Sequence, residues 1–360
     1  MKHASEFRDK DMARAILDKL RVESKTPLRL MEVCGTHTMS IFRNGIRSLL
    51  PETISLLSGP GCPVCVTAQG EIDAFIELAR NPEVTVATFG DLMRVPGTDS
   101  SLAKERAQGA DVRIVYSTMD ALALARSHPD RQVIFLGVGF ETTAPTVAGA
   151  VLAANQAGVE NFSVFPAHKL VPPALAGLVG GGRVEVNGFL CPGHVSVIIG
   201  EQAYEFLARD HGIPCVVAGF EAVDILSAVL LLVRQVEAGE ARVDNAYKRA
   251  VRYEGNPRAR AVMEQVFTPE DAHWRGIGVI PGSGLALAAE YAGFDAKQRF
   301  GVKVAKTREP RGCSCGSILT GLVTPPECPL YKKVCTPEHP VGPCMVSSEG
   351  TCAAWFRYAE

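Results

Sequence analysis

Residues 53–80 read TISLLSGPGCPVCVTAQGEIDAFIELAR and contain one complete strand-turn-helix unit. Thr53 to Leu57 form a short apolar run that predicts a β-strand, and glycines and prolines follow it as a turn. A helix is predicted from Val66 to Arg80, because apolar residues recur there at three- and four-residue spacing, namely Ile72, Phe75, Ile76 and Leu78.

The same theme repeats between Pro27 and Phe220, which is typical of βα units around a parallel sheet. Eight strands are too many for one small sheet, so we expect an α/β fold with two lobes whose parallel sheets are flanked by helices. We expect a small C-terminal cysteine-rich domain to follow, and the family resemblance given below implies that it is an iron–sulfur domain. The expected divisions are residues 1–150, 151–305 and 306–360, and the lobes can exchange segments. The predicted strands are Leu28–Val33, Thr53–Leu57, Val84–Thr88, Val112–Tyr116, Val133–Val138, Phe162–Phe165, Gly188–Leu190 and Cys215–Ala218.

Composition excludes several classes of protein. The chain has 360 residues and a formal net charge of -2, so a generic phosphate-neutralising surface for nucleic acid is disfavoured. The first 20 residues lack the apolar run of a signal peptide. The richest apolar stretch, Ile225 to Val233, is stopped by Arg234, so no membrane segment is expected. We therefore expect a cytoplasmic protein.

Six of the eleven cysteines lie within residues 313–352, in a stretch rich in proline. Clustered cysteines in a reducing cytosol indicate metal or redox chemistry more often than structural disulfides, the obvious rival. The spacings match neither a ferredoxin run nor a zinc ribbon, so they predict only a thiolate-bound metal. Four ligands are needed and six are offered: Cys313, Cys315, Cys328, Cys335, Cys344 and Cys352.

The first predicted strand ends in Cys34-Gly35-Thr36-His37. Cys34 and His37 are three residues apart, so a tight turn could direct thiolate and imidazole at one point, as a transition metal or an activated nucleophile requires. The plainer alternative is a buried cysteine beside a hydrogen-bonded histidine, and the two interpretations are nearly balanced.

Cys62 and Cys65 form a Cys-x2-Cys motif at the turn from the second strand into a helix. A helix N-terminus lowers the pKa of the first thiol, the second thiol can close a disulfide, and Pro63 suits the first helical position. The alternative is half of a zinc site, but no matching Cys-x2-Cys lies elsewhere in the sequence. A redox dithiol is therefore favoured.

Other strand ends also carry polar residues, which together predict a polar cleft between the lobes. Each alone is more typical of a cap or a turn. The sequence contains no complete Walker A, dinucleotide-binding or HExxH motif. The residues at these strand ends are Asp91, Glu141, His168, Lys169, Cys191, His194 and Glu221.

The chain resembles the HypD family of hydrogenase-maturation proteins over essentially its whole length. The resemblance rests on long, unusual blocks: EVCGTHTMSIFRNGI, SGPGCPVCVT, FGDLMRVPG, FLGVGFETTAPT, AHKLVPPA, GFLCPGHVSVIIG, CSCGSILTGLVTPPECPL and VCTPEHPVGPCMVSSEGTCAAW. One departure is Tyr331-Lys332, where Phe-Gly is expected.

The resemblance implies a scaffold and redox protein for assembly of the Fe(CN)2CO unit of [NiFe]-hydrogenase. Cys34 would bind the iron, transient Fe(II) carrying CN and CO, with His37 beside it. Cys62 and Cys65 would pass electrons between that iron and a [4Fe-4S] cluster. The implied cluster ligands are Cys328, Cys335, Cys352 and either Cys313 or Cys315.

The implied partners are a HypC-type small chaperone, which holds the iron jointly, and HypE, which delivers cyanide after loading by HypF. Two other functions remain open from the residues alone. One is a stand-alone iron–sulfur thiol/disulfide oxidoreductase in which Cys34 is structural. The other is a zinc-stabilised binding protein without redox chemistry.

Overall fold

The computed structural model describes residues 6–181, 185–305 and 309–359. The predicted α/β class is confirmed, since two parallel sheets lie among helices. The strands are β1 Leu28–Glu32, β2 Ile54–Ser58, β3 Val84–Thr88, β4 Val112–Ile114, β5 Gln132–Gly137, β6 Phe162–Pro166, β7 Gly188–Pro192, β8 Cys215–Ala218, β9 Val243–Asn245, β10 Phe267–Trp274 and β11 Gly278–Leu287.

The helices connect successive strands and cover the faces of the sheets. In chain order they are α1 Lys10–Glu23, α2 Gly35–Arg43, α3 Ile46–Leu49, α4 Pro63–Val66, α5 Gln69–Ala79, α6 Leu102–Ala107, α7 Thr118–Ser127, α8 Ala144–Gln156, α9 Val171–Gly180, α10 Gly193–Ile199, α11 Glu205–His211, α12 Ala222–Glu237, α13 Pro257–Val266, α14 Ala296–Arg299, α15 Cys315–Leu319, α16 Pro343–Val346 and α17 Thr351–Tyr358. Within the described ranges, none of them combines the length and apolarity needed to cross a bilayer.

The first sheet has the strand order β2-β1-β7-β8-β9, and the second sheet has the order β4-β3-β5-β6. All of these neighbours pair in parallel. The chain leaves the first sheet after residue 58, builds the second, and returns at residue 188. The predicted domain boundary at residue 150 falls inside α8. The boundary predicted between residues 305 and 306 adjoins residues outside the described ranges. Both boundaries stay predictions.

Apolar side chains fill both faces of the sheets, as expected for parallel strands covered by helices. One core lies between the first sheet and helices α1 and α12, and another packs α7 and α8 on the second sheet. A third joins the inner faces of both sheets to the cysteine-rich tail. This third core therefore contains residues of both sheets and the cysteines of the tail.

Two features differ from the sequence prediction. Residues 267–287, where the sequence predicts no strand, form an antiparallel hairpin of β10 and β11. The helix expected from Val66 to Arg80 is two helices, α4 and α5, broken at Thr67 and Ala68. The hairpin explains the break, because Thr67 bridges to Trp274 and the Arg275 N–H donates to the Val66 carbonyl at 2.9 Å.

Candidate functional site: a thiol-lined centre between two sheets

The turn that carries Cys34 is fixed by the strand that precedes it. Cys34 is the N-cap residue of α2 and follows the end of β1 by two residues. Buried Glu32 accepts hydrogen bonds from the Cys34 N–H at 3.3 Å and from the Thr38 hydroxyl at 2.6 Å. Burial raises the pKa of Glu32 to about 8, and Thr38 counteracts this shift. Glu32 therefore anchors both ends of the turn.

The Cys34 thiol lies in a poorly solvated position. Burial raises its pKa to about 12, and the nearby Glu349 carboxylate adds to the shift. The thiol is therefore protonated at neutral pH until a cation or a partner stabilises the thiolate. A bound transition metal supplies that stabilisation directly.

His37 makes its polar contacts away from its own helix. Its Nε2 lies 2.9 Å from the Gly219 carbonyl and 3.2 Å from the Ala218 carbonyl, so Nε2 carries the proton. Nδ1 is then an acceptor, and it is buried with no partner among the described residues. Burial lowers the pKa of His37 to about 4, so the ring is neutral. His37 thus ties α2 to the carboxyl end of β8.

The dithiol loop packs directly against the Cys34 turn. The Gly35 N–H donates to the Gly61 carbonyl at 3.0 Å, and the Gly59 N–H donates to the Glu32 carbonyl at 2.8 Å. A Cβ on Gly61 would lie 2.2 Å from the Cys34 nitrogen. The glycines of this loop therefore permit the two cysteine-bearing segments to touch through their backbones.

Cys62 and Cys65 occupy one turn of helix. Cys62 is the N-cap of α4, Pro63 takes the first helical position as predicted, and the Cys65 N–H donates to the Cys62 sulfur at 3.2 Å. Burial raises the pKa of the Cys65 thiol, and the adjacent Cys344 side chain counteracts this shift. Helices α4 and α16 pack on each other, so the dithiol faces the tail.

The six tail cysteines line one small cavity together with Tyr331, Met345 and other apolar residues. The sulfurs of Cys315 and Cys344 are 3.1 Å apart. Burial raises the pKa of the Cys352 thiol, and Cys313, Cys335 and Cys328 add to that shift in this order. An iron–sulfur cluster requires four thiolate ligands, and this cavity offers six cysteine sulfurs.

Within the described ranges, no three His, Cys, Asp or Glu side chains have the spacing of a single bound metal ion. Tail residue Lys332 has φ 57°, a left-handed backbone that favours the glycine expected there.

A short tail segment links both sheets. The Ser347 hydroxyl donates to Asp91, which follows β3, at 3.0 Å. The Thr36 hydroxyl donates to Glu349 at 2.6 Å. A Cβ on Gly35 would lie 2.5 Å from the Glu349 Cβ. The tail therefore closes over the Cys34 turn, and sequence reasoning missed this role of Glu349 because the contact spans 313 residues.

The other predicted strand-end residues divide into groups. The His194 ring stacks on Phe220 at 3.9 Å, and Phe220 lies 4.8 Å from the His37 ring, so His194 belongs to this centre. Glu221 pairs with Arg8, and Lys169 pairs with Glu71 at 2.7 Å. Three members of the set are simply buried in the interior of the protein: His168, Glu141 and Cys191.

Fold and geometry together define an α/β protein with a buried cysteine centre at the carboxyl ends of two parallel sheets. The family model HypD, described as "Hydrogenase formation hypA family", matches residues 11–359. The chain belongs to this family of hydrogenase maturation factors.

Curated relatives match over nearly their full length. The chain is 46% identical to hydrogenase maturation factor HypD2 of Bradyrhizobium diazoefficiens, covering 100% of this chain and 97% of that protein. It is 46% identical to HypD of Rhodobacter capsulatus, with 99% and 98% covered. It is 44% identical to HypD of Escherichia coli, with 100% and 99% covered.

Proposed function

We propose that this protein is the scaffold on which the Fe(CN)2CO unit of [NiFe]-hydrogenase is assembled, with Cys34 as the thiolate that holds the iron. The observation that carries the proposal is the direct packing of the Cys34 turn on the Cys62–Cys65 loop, which in turn faces the tail cysteines. Family membership supports a role in hydrogenase maturation, and the geometry supports this division of work among the thiols.

Iron is the cargo in this proposal, so its site must be open. Cys34 offers one thiolate, and the described residues offer no three-ligand set around it. Cyanide, CO and a ligand from a partner would complete the coordination. Neutral His37 and buried Glu32 hold the turn in place around Cys34.

The tail would hold a [4Fe-4S] cluster through Cys313, Cys328, Cys335 and Cys352. The common influence of Cys313, Cys335 and Cys328 on Cys352 supports Cys313 as the first ligand. Cys315, whose side chain contacts both Cys313 and Cys344, is the competing choice. When bound, such a cluster supplies electrons singly at a potential set by its charge and surroundings.

The spare thiols have a role in this proposal. Reduction of a Cys62–Cys65 disulfide breaks one S–S bond and forms two S–H bonds, and it would take two electrons, supplied one at a time by the cluster, and two protons from water. The Cys344 side chain lies against Cys65, and its sulfur is 3.1 Å from Cys315. This series of thiols would connect the dithiol with the cluster, while the iron at Cys34 lies on the other side of the dithiol loop.

A groove beside the Cys34 turn would receive the HypC-type chaperone. It has a volume of about 790 Å³ and begins at Thr36. Apolar side chains of α1, α2 and α12 line it, including Leu17, Met39 and Leu226. HypE, loaded by HypF, would deliver cyanide to the same open side. All of these reactions would take place in the cytoplasm.

The proposal is tested by maturation of a [NiFe]-hydrogenase in a host that lacks its own HypD-family protein. Cys34→Ala and Cys62→Ala are expected to abolish hydrogenase activity. Cys215→Ala is the matched control, because Cys215 is also a buried cysteine but lies at the amino end of β8. Normal maturation by Cys34→Ala would refute the assignment of the iron ligand.

The alternative of a stand-alone thiol/disulfide oxidoreductase has one supporting observation. The series Cys62, Cys65, Cys344 and Cys315 is complete without Cys34. Under that alternative, Cys34→Ala keeps its full turnover with a protein disulfide substrate and the protein binds no cyanide-ligated iron. Under our proposal, wild type binds that iron and the variant does not.

A further inference from the structure

The tip of the β10–β11 hairpin places a buried arginine beside the residues that follow Cys65. Trp274 pairs with Gly278, so residues 275–277 form its tip, and Gly276 has φ 70° as such a three-residue loop requires. Arg275 is 1% exposed. The tip lies between the residues that follow Cys65 and those that follow Cys315.

Both contacts of the tip involve backbone. On one side, the Arg275 N–H donates to the Val66 carbonyl at 2.9 Å. On the other, a Cβ on Gly276 would lie 2.1 Å from the Gly316 Cα. The tip therefore touches the chain one residue beyond each of two thiols of the proposed series.

The guanidinium is held by neutral groups. Its Nε donates to the Thr67 carbonyl at 2.9 Å, and one terminal nitrogen donates to the Gln69 side-chain oxygen at 3.0 Å. Within the described ranges, no carboxylate forms an ion pair with it. Glu309 accepts a hydrogen bond from the Gly276 N–H, but not from the guanidinium. Because arginine stays protonated in proteins, a full positive charge remains buried here.

We propose that Arg275 is the fixed cation that sets the reduction potential of this thiol-lined centre. Each electron added to a thiolate-bound cluster increases its negative charge, and a buried cation beside the cluster stabilises that reduced form. Arg275 also acts on Cys313, whose thiolate it favours. The assignment rests on the proposed function, because it requires the cluster.

The test is a reductive titration of the anaerobically purified full-length protein, followed by the cluster's electron paramagnetic resonance signal. Arg275→Gln removes the charge and is expected to lower the ratio of reduced to oxidised cluster at least ten-fold at a fixed potential, which corresponds to about 59 mV for one electron. Arg275→Lys keeps the charge and is expected to remain within three-fold of wild type.

Two further variants separate charge from packing. Gln69→Glu leaves Arg275 in place but gives it a carboxylate partner, and we expect a shift in the same direction as Arg275→Gln. It also serves if Arg275→Gln does not fold. Arg131→Gln is the control for loss of an arginine far from the cysteines. Arg131 also donates to backbone carbonyls, those of Pro82 and Val84, but at the amino ends of β3 and β5, and it pairs with Asp111.

Equal potentials in wild type, Gln69→Glu and Arg275→Gln, at equal cluster content, would overturn this inference alone. A downward shift in Arg275→Lys as large as in Arg275→Gln would also overturn it, since packing and not charge would then be responsible. A wild-type protein that binds no cluster would overturn the proposed function and this inference with it.

Discussion

Gly61→Ala tests whether the Cys34 turn and the dithiol loop form one site. The added Cβ would lie 2.2 Å from the Cys34 nitrogen, 2.4 Å from the Val33 carbonyl carbon and 2.5 Å from the Cys34 Cα. Ordinary contact begins at 3.4 Å, so the two segments must separate by about 1 Å. All three atoms belong to the backbone, so no side-chain rotation relieves the clash.

We expect Gly61→Ala to lower the free energy of unfolding by about 3 kcal/mol, at the upper end of the cost of overpacking. A displacement of about 1 Å between reacting groups is also expected to reduce hydrogenase maturation about 100-fold. The assays are chemical denaturation of the purified protein and hydrogenase activity in the complemented host. Both should change together, because one displacement causes both.

Gly149→Ala is the matched control. Gly149 lies in α8, and its added Cβ would meet nothing within 4 Å. Alanine there should stabilise the protein by about 0.5–1 kcal/mol, because it is the better helix former. If Gly61→Ala were as stable and as active as Gly149→Ala, the two cysteine segments could not be in the contact described here.

Three further predictions concern stability. Lys169→Met should lower the free energy of unfolding by about 3 kcal/mol in chemical denaturation, because the poorly solvated Glu71 carboxylate then lacks its cation. Combining Lys169→Met with Glu71→Gln should recover part of this loss. His168 is buried, and burial lowers its pKa from 6.5 to about 3. The neutral His168 ring therefore contributes to the free energy of unfolding above pH 6.5. This contribution is lost as pH falls, and at pH 5 the loss is about 2 kcal/mol. His168→Phe, beside Phe267, should be less sensitive to acid than wild type in denaturation at pH 5 and pH 8. Lys332→Gly should raise the melting temperature, because the left-handed backbone of Lys332 costs a side-chain-bearing residue about 1 kcal/mol and costs glycine little. An unchanged melting temperature would contradict this expectation.

The parallel strands could be predicted from the sequence because each is a short apolar run bounded by a turn. All eight predicted strands are present, with ends shifted by at most two residues. Strand β9 was missed, since only one of its three residues, Val243, is apolar. The hairpin was missed because Pro269 and Glu270 dilute the strand signal and the register shifts between Glu270 and Ala272.

The candidate site was only partly predictable. The Cys-x2-Cys motif and the Cys34 turn are local patterns, and α/β topology places strand ends at one edge. The helix break at Thr67 is not local, because the hairpin more than 200 residues away in sequence causes it. The closure by Glu349 and the insertion of Arg275 likewise depend on tertiary packing that has no sequence pattern of its own.

Infrared spectroscopy of the anaerobically purified protein, obtained with its maturation partners, tests the central claim most directly. Bound cyanide and CO absorb in a window free of protein bands. We predict these bands for wild type and for Cys215→Ala, and none for Cys34→Ala at equal protein content. Bands of equal strength in Cys34→Ala, or their absence from wild type, would contradict the claim that Cys34 holds the iron during its assembly.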